Sequence, residues 1–183
     1  FVEARGATHV DNLICDASYN HVDGSGTLDV TAIVGGFTAP TEGWKIKTRI
    51  ETLKGKQLSK PITKKVPHTF YQPMGFFGHK TEASFTLPGI APWSAESPCR
   101  YRVIVELINP SGEVAEAHPQ IIGFRSIVIS GNELLINGKP AWIFGVNRHD
   151  HHPTRGKALT IDNIRDDLLA MRRHNITAVR CAH

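Results

Sequence analysis

The sequence predicts a mainly β chain: an immunoglobulin-like β-sandwich followed by the first strand–helix–strand unit of a parallel α/β domain. Three observations carry this expectation. From Val10 to about Arg125, hydrophobicity alternates with period two, and turn residues separate the runs. After Arg125, short apolar runs give way to a segment of helical period and then to another apolar run. The chain has 183 residues, 40% hydrophobic and 21% charged, which suffices for one or two soluble domains with a sizeable core.

The elements follow in order. Leu28, Val30, Ala32 and Val34 share one parity, with Asp29 and Thr31 between them. Trp44, Ile46, Thr48 and Ile50 alternate with Lys45, Lys47, Arg49 and Glu51, and Tyr101, Val103, Val105 and Leu107 alternate with Arg102 and Glu106. One face buried and one face wet is the signature of antiparallel sheet. Turns fall at Asp23-Gly24-Ser25-Gly26, Lys54-Gly55-Lys56 and Asn109-Pro110-Ser111-Gly112. Residues 71–78 have no period and are expected to form a loop.

Beyond Arg125, Ile127-Val128-Ile129 and Leu134-Leu135-Ile136 flank a turn at Ser130-Gly131-Asn132. A second turn at Asn137-Gly138-Lys139-Pro140 leads into Trp142–Val146, expected to be a buried strand. Ile161, Ile164, Leu168 and Met171 then step by three and four, which predicts a helix. Thr160 suits its N-cap and Asp162 its first turn; Arg172, Arg173 and His174 suit its last turn, and Asn175 its stop. Thr177–Arg180 reads as a second strand, parallel to the first. One such unit leaves apolar surface open on both faces and both edges, so further chain is expected beyond His183. The absence of an initial Met suits an internal piece of a longer polypeptide.

Charge and cysteine usage narrow the function classes. The net charge is +4, and part of it is local: Lys54, Lys56, Lys60, Lys64 and Lys65 crowd one stretch. Aromatic and Arg residues do not interleave there. The stretch therefore reads as a Lys-guarded strand edge rather than an anion-binding patch, and no nucleic-acid partner is expected. No apolar run approaches the roughly 20 residues of a membrane span, and the N-terminus has no signal-peptide pattern, so a cytoplasmic location is expected. Cys15, Cys99 and Cys181 are odd in number and lack CxxC spacing. A Cys15–Cys99 bridge between two sheets is conceivable, but free thiols are the preferred reading.

The densest polar cluster is Asn147-Arg148-His149-Asp150-His151-His152-Pro153, at the end of the first parallel strand; Arg180-Cys181-Ala182-His183 ends the second. α/β folds place their sites at such strand ends, and adjacent parallel strands would bring His149 and His183 to one rim. Three readings compete. His149, His151 and His183 could bind a metal, without support from HExxH or paired-cysteine spacing. The histidines could be structural, the preferred reading for His151 and His152, with Pro153 closing a turn. Or the imidazoles, each offering a donor and an acceptor at neutral pH, could hold sugar hydroxyls.

Gly123-Phe124-Arg125, Leu134-Leu135-Ile136-Asn137-Gly138-Lys139-Pro140, Gly145–Pro153 and Ala178–His183, in that order, together resemble the large bacterial β-galactosidases of glycoside hydrolase family 2. Pro92-Trp93-Ser94-Ala95-Glu96-Ser97-Pro98 resembles that family's motif before a late sandwich strand. The resemblance implies a domain plan. Residues 1–11 would be the end of a jelly-roll domain or a linker, 12–125 an immunoglobulin-like sandwich, and 126–183 the first two strands of a TIM (β/α)8 barrel.

It also implies retaining hydrolysis of β-galactosides, which needs two carboxyl groups about 5–5.5 Å apart. Both glutamates would come from later barrel strands, so no catalytic residue is expected in this chain; Glu133 falls in a hairpin turn. His149 and His183 match histidines that bond galactose hydroxyls, and Arg180 matches an arginine that pairs with the nucleophilic glutamate. Magnesium and sodium assist many members, but no metal ligand is assigned here. The implied partners are a lactose-like β-galactoside, the rest of the parent polypeptide and further copies in a homo-oligomer. The chain departs from the pattern at Asp150, at Cys99-Arg100 before Tyr101, and at Phe144. The alternative is a non-catalytic immunoglobulin-like binding or scaffolding module with a vestigial barrel segment.

Overall fold

The computed structural model describes residues 2, 4–36, 42–68 and 78–182. Most of the aromatic loop expected at 71–78 lies outside the described residues, as does His183. The chain divides into two compact units, one of residues 1–128 with 136–138, the other of 129–135 with 139–183.

Seven strands build the first unit: β1 (Thr8–Asn20), β2 (Ser25–Gly36), β3 (Lys45–Thr52), β4 (Ile62–Lys65), β5 (His79–Leu87), β6 (Tyr101–Ile108) and β7 (Val114–Ile122). They form two antiparallel sheets of order β1-β2-β5 and β4-β3-β6-β7. This is an immunoglobulin-like sandwich whose fourth strand pairs with the third rather than joining the sheet of the first two. β1 already begins at Thr8, inside the stretch expected to lie ahead of the sandwich.

The predicted parities are those that face inward. Leu28, Val34, Ile50, Val103, Val105 and Leu107 are fully buried between the sheets, with Val30, Ala32 and Ile46 beside them. On the outer face of the second sheet, Arg49 and Arg102 both bond the Glu51 carboxylate, at 2.7 and 3.0 Å, and Lys47 pairs with Glu106 at 3.1 Å. β4 is an edge strand with Thr63, Lys64 and Lys65 exposed, so the lysine-rich stretch guards an edge.

One end of the sandwich is pinned by Tyr101, the first residue of β6. Its hydroxyl donates to the Ala91 carbonyl and accepts from the Ala91 amide, both at 3.1 Å, forming a tyrosine corner. Its ring meets the fully buried Phe124 edge-on, with centroids 5.4 Å apart and planes at 70°. Trp93 donates its amide to the Phe124 carbonyl at 2.7 Å, and the Arg125 guanidinium lies 5.3 Å from the Trp93 ring centroid.

Asn137 ties the segment after Arg125 back to this corner. Its Nδ2 donates to the Trp93 carbonyl at 3.0 Å, its Oδ1 accepts from the Ser126 amide at 2.9 Å, and its own amide donates to the Ser126 carbonyl at 3.0 Å. Its φ of 52° is left-handed, a region Asn tolerates. Gly138 follows at φ 76°, where a methyl group would run into the His21 ring.

β8 (Ile127–Ser130), β9 (Glu133–Ile136) and β10 (Lys139–Pro140) form a small sheet of order β10-β9-β8. The second unit continues with β11 (Gly145–Arg148), α1 (Ile161–Arg173) and β12 (Ala178–Cys181). β11 and β12 are parallel. The expected N-cap holds: Thr160 Oγ1 accepts from the Asn163 amide at 3.4 Å, and Asn163 Oδ1 accepts from the Thr160 amide at 3.2 Å. Asn175, at φ 55°, ends the helical turn.

One expectation fails in this unit. Trp142–Val146 is not a buried strand: β11 starts only at Gly145, and Trp142, Ile143 and Phe144 are 78, 65 and 62% exposed. Thr177 supplies the local reason. Its hydroxyl donates to the Trp142 carbonyl at 2.9 Å and accepts from the Phe144 amide at 3.0 Å, while the Phe144 carbonyl accepts from the Thr177 and Ala178 amides at 2.9 and 3.2 Å, so side-chain bonds take part where a regular ladder would continue. α1 has no buried residue, and Ile161, Ile164, Leu168 and Leu169 are all exposed. A lone strand–helix–strand unit cannot cover its own apolar faces. Among the described residues, no helix is long and apolar enough to cross a membrane.

Candidate functional site

Alternation along β11 decides which side chains share a face. Arg148 Nε donates to Asp167 Oδ2 of α1 at 3.0 Å, so Arg148 and Val146 face the helix while Asn147 faces away. The pairing of Asn147 with Arg180 and of Arg148 with Cys181 places Arg180 on the Asn147 face. A cleft along these two strands is lined by Ile143, Gly145, Val146, Asn147, Ala178, Val179 and Arg180. Asn147 and Arg180 are both exposed.

The Ala182 amide donates to the Arg148 carbonyl at 2.9 Å and carries the pairing past the end of β12. His149 is therefore the first residue beyond the strand end, level with Ala182, and is exposed. The structure thus brings His149 and Arg180 to the same strand ends; His183, the third residue expected at this rim, lies outside the described residues.

The loop after His149 is built by its own bonds. The His151 amide donates to the His149 carbonyl at 2.9 Å. His152 and Gly156 exchange backbone bonds at 2.7 and 3.0 Å, and His152 Nδ1 lies 3.3 Å from the Thr154 amide and 3.2 Å from its hydroxyl. His152 is thus bonded within its own loop, to Gly156 and Thr154. Among the described residues, no group of three or more His, Cys, Asp or Glu could hold a metal ion.

The residue that sequence reasoning passed over is Arg148. Its side chain is 10% exposed, bonds Asp167, and bonds Asp150 through Nη1; the bonds and charges of these two carboxylates, Asp150 foremost, hold its pKa above the ordinary value against the cost of burial. The signal available was an Arg directly before the candidate His and an Asp pair on the helix, but nothing local shows that α1 folds back onto β11. The three cysteines are free thiols; burial pushes Cys15 up to about 11.

Residues 8–125 match the family model described as glycosyl hydrolases family 2, and residues 127–183 match that for the glycosyl hydrolases family 2 TIM barrel domain. A β-galactosidase of Pectobacterium atrosepticum is 47% identical over 91 residues, covering 50% of this chain and 9% of that protein. A β-galactosidase of Yersinia pestis is 33% identical over 156 residues, covering 85% of this chain and 14% of that protein. The chain thus spans a small part of the length of these curated relatives.

Among solved structures, a Bifidobacterium dentium β-glucuronidase superposes with a TM-score of 0.80 at 18% identity, over 96% of this chain and 27% of its own. Parabacteroides merdae β-glucuronidase superposes at 0.77 and 16%, over 97% of this chain and 21% of its own. At these identities the structural likeness speaks for the fold: an immunoglobulin-like domain followed by the start of a TIM barrel.

Proposed function

The chain belongs to glycoside hydrolase family 2, and from that premise we propose that it serves as one segment of a retaining β-galactosidase, cytoplasmic and homo-oligomeric, acting on terminal β-D-galactosides such as lactose. The observation that carries this is the parallel register of β11 and β12. It sets Arg180 beside Asn147 on the face away from α1, with His149 at the same strand ends, in a fold whose strand ends are where barrel enzymes do chemistry. The names of the sequence relatives favour a galactoside as substrate.

Each side chain has a defined task in this reading. His149 and His183 hydrogen-bond sugar hydroxyls, and such bonds accelerate hydrolysis to the extent that they tighten at the oxocarbenium-like transition state. Arg180 keeps a carboxylate nucleophile ionised and aimed. The acid/base and nucleophile carboxyls come from barrel strands beyond His183, so the 183-residue chain alone does not hydrolyse a galactoside. In this reading no residue of this chain is assigned to a magnesium or sodium site.

The test is kinetic, on a polypeptide carrying this segment at the length of its relatives. It should hydrolyse an aryl β-D-galactoside in preference to an aryl β-D-glucuronide and release the β-anomer first, as read by proton NMR. His149→Ala and Arg180→Ala should each lower kcat/KM by about 100-fold, roughly 3 kcal/mol of transition-state stabilisation. Preference for the glucuronide, or unchanged kinetics in both variants, would overturn the proposal. A complete lack of hydrolysis would favour the scaffolding alternative.

A further inference from the structure

Arg148 joins three segments of the second unit, two through its guanidinium and one through its backbone carbonyl. Its Nε donates to Asp167 on α1 and its Nη1 donates to Asp150 in the loop; its backbone carbonyl accepts from Ala182 at the end of β12. The side chain is nine-tenths buried, and Nη2 is buried without a hydrogen-bond partner. A buried cation spanning two carboxylates on separate segments is costly to assemble and specific in geometry.

His149 lies between the two residues that bond each other. Side chains two apart meet on one side of the backbone when the residue between them is extended, and that residue then points to the other side. The Arg148–Asp150 bond lies toward α1, because Asp167 anchors it there. We infer that Arg148 is a positioning residue: by bridging Asp150 and Asp167 it holds His149 extended and directs its imidazole to the face that carries Asn147 and Arg180. This rests on the reading of His149 as a sugar-binding residue, and it assigns the orientation of that residue to a side chain that touches no substrate.

Charge alone would not do this. A lysine at position 148 supplies one point donor in place of a planar fork, and one ammonium cannot replace both arms at their separate positions. The inference therefore separates a positioning role from simple charge balance.

Two measurements test it. The first needs no activity. In the full-length polypeptide, Arg148→Lys and Asp167→Asn should speed exchange of the Ala182 amide by about tenfold and shift the His149 Cε1–Hε1 NMR signal. Amides of β6 serve as the control for the sandwich. Wild-type exchange and an unmoved His149 signal in both variants would overturn the inference, whatever the enzyme acts on.

The second uses the full-length polypeptide on an aryl β-galactoside. Arg148→Lys should lower kcat/KM by about tenfold or more. The Arg148→Lys, His149→Ala double variant should be no worse than His149→Ala within about twofold, because the first change acts through the second residue. Losses that multiply, or full activity with lysine, would overturn the inference. An inactive wild-type polypeptide would instead sink the galactosidase reading and leave the NMR comparison to decide the role of Arg148.

Discussion

Removing one oxygen from Tyr101 tests the architecture of the sandwich most directly. Tyr101→Phe keeps the ring, and so keeps the edge-on contact with Phe124. It deletes the hydroxyl that donates to and accepts from Ala91. Each intramolecular bond contributes about 0.5–1.5 kcal/mol net. Ala91 is exposed as a residue and both bonds are only part-buried, so water replaces much of what its amide and carbonyl lose. The expected loss is therefore about 1–2 kcal/mol, well short of the full cost of burying two orphaned groups.

For a unit of this size, that corresponds to a fall of about 4–8 °C in Tm, read by circular dichroism or calorimetry at neutral pH. Phe124→Ala provides the scale. Its ring is fully buried, and truncation should cost about 3–5 kcal/mol. A fall under about 1 °C for Tyr101→Phe would refute the assignment of the tyrosine corner as a stabilising contact. A larger loss for Tyr101→Phe than for Phe124→Ala would show that the ledger of polar and apolar terms is wrong.

Other changes probe separate parts of the chain. Asn137→Ala removes the bonds to Ser126 and Trp93 and puts alanine at φ 52°; a loss of about 2–3 kcal/mol is expected in urea unfolding, and unchanged stability would contradict the pinning role. Thr160→Ala breaks the capping box and should cost about 1 kcal/mol, with faster amide exchange in the first turn of α1 and none of that change in β6.

Glu116 gives a pH signature. Burial opposes its ionisation, but the Val10 amide, the bond and charge of His118 and the charge of His9 outweigh this and hold its carboxyl below the usual range. A depressed folded pKa contributes stability that is fully present above the unfolded value of about 4.3 and is lost as pH falls through the folded value. Glu116→Gln should therefore flatten the acid limb of the stability profile below about pH 4.3. An acid limb identical to wild type would remove Glu116 from that linkage.

The sequence by itself determined whatever depends on neighbours along the chain. Period two in residues 28–34, 45–51 and 101–107 fixed which side chains face inward, because a strand has only two faces. The cap at Thr160 and the stop at Asn175 follow from residue chemistry within a few positions, and the parallel order of the last two strands from the succession strand, helix, strand. The motifs at Asn147–Pro153 and Ala178–His183 marked the strand ends that carry His149 and Arg180.

The tertiary structure decided what depends on residues far apart in sequence. Only the fold brings Asn137 to Trp93, 44 residues away, or sets Asp167 against Arg148, 19 residues away. It also shortened the strand expected from Trp142, because Thr177 bonds across to Trp142 and Phe144. Local pattern records burial and turn chemistry, since each residue faces the same choice between water and core wherever its partner lies. It does not record which distant group satisfies a guanidinium or a side-chain amide, because many chain positions could supply the same donor or acceptor, and only the packed backbone selects one.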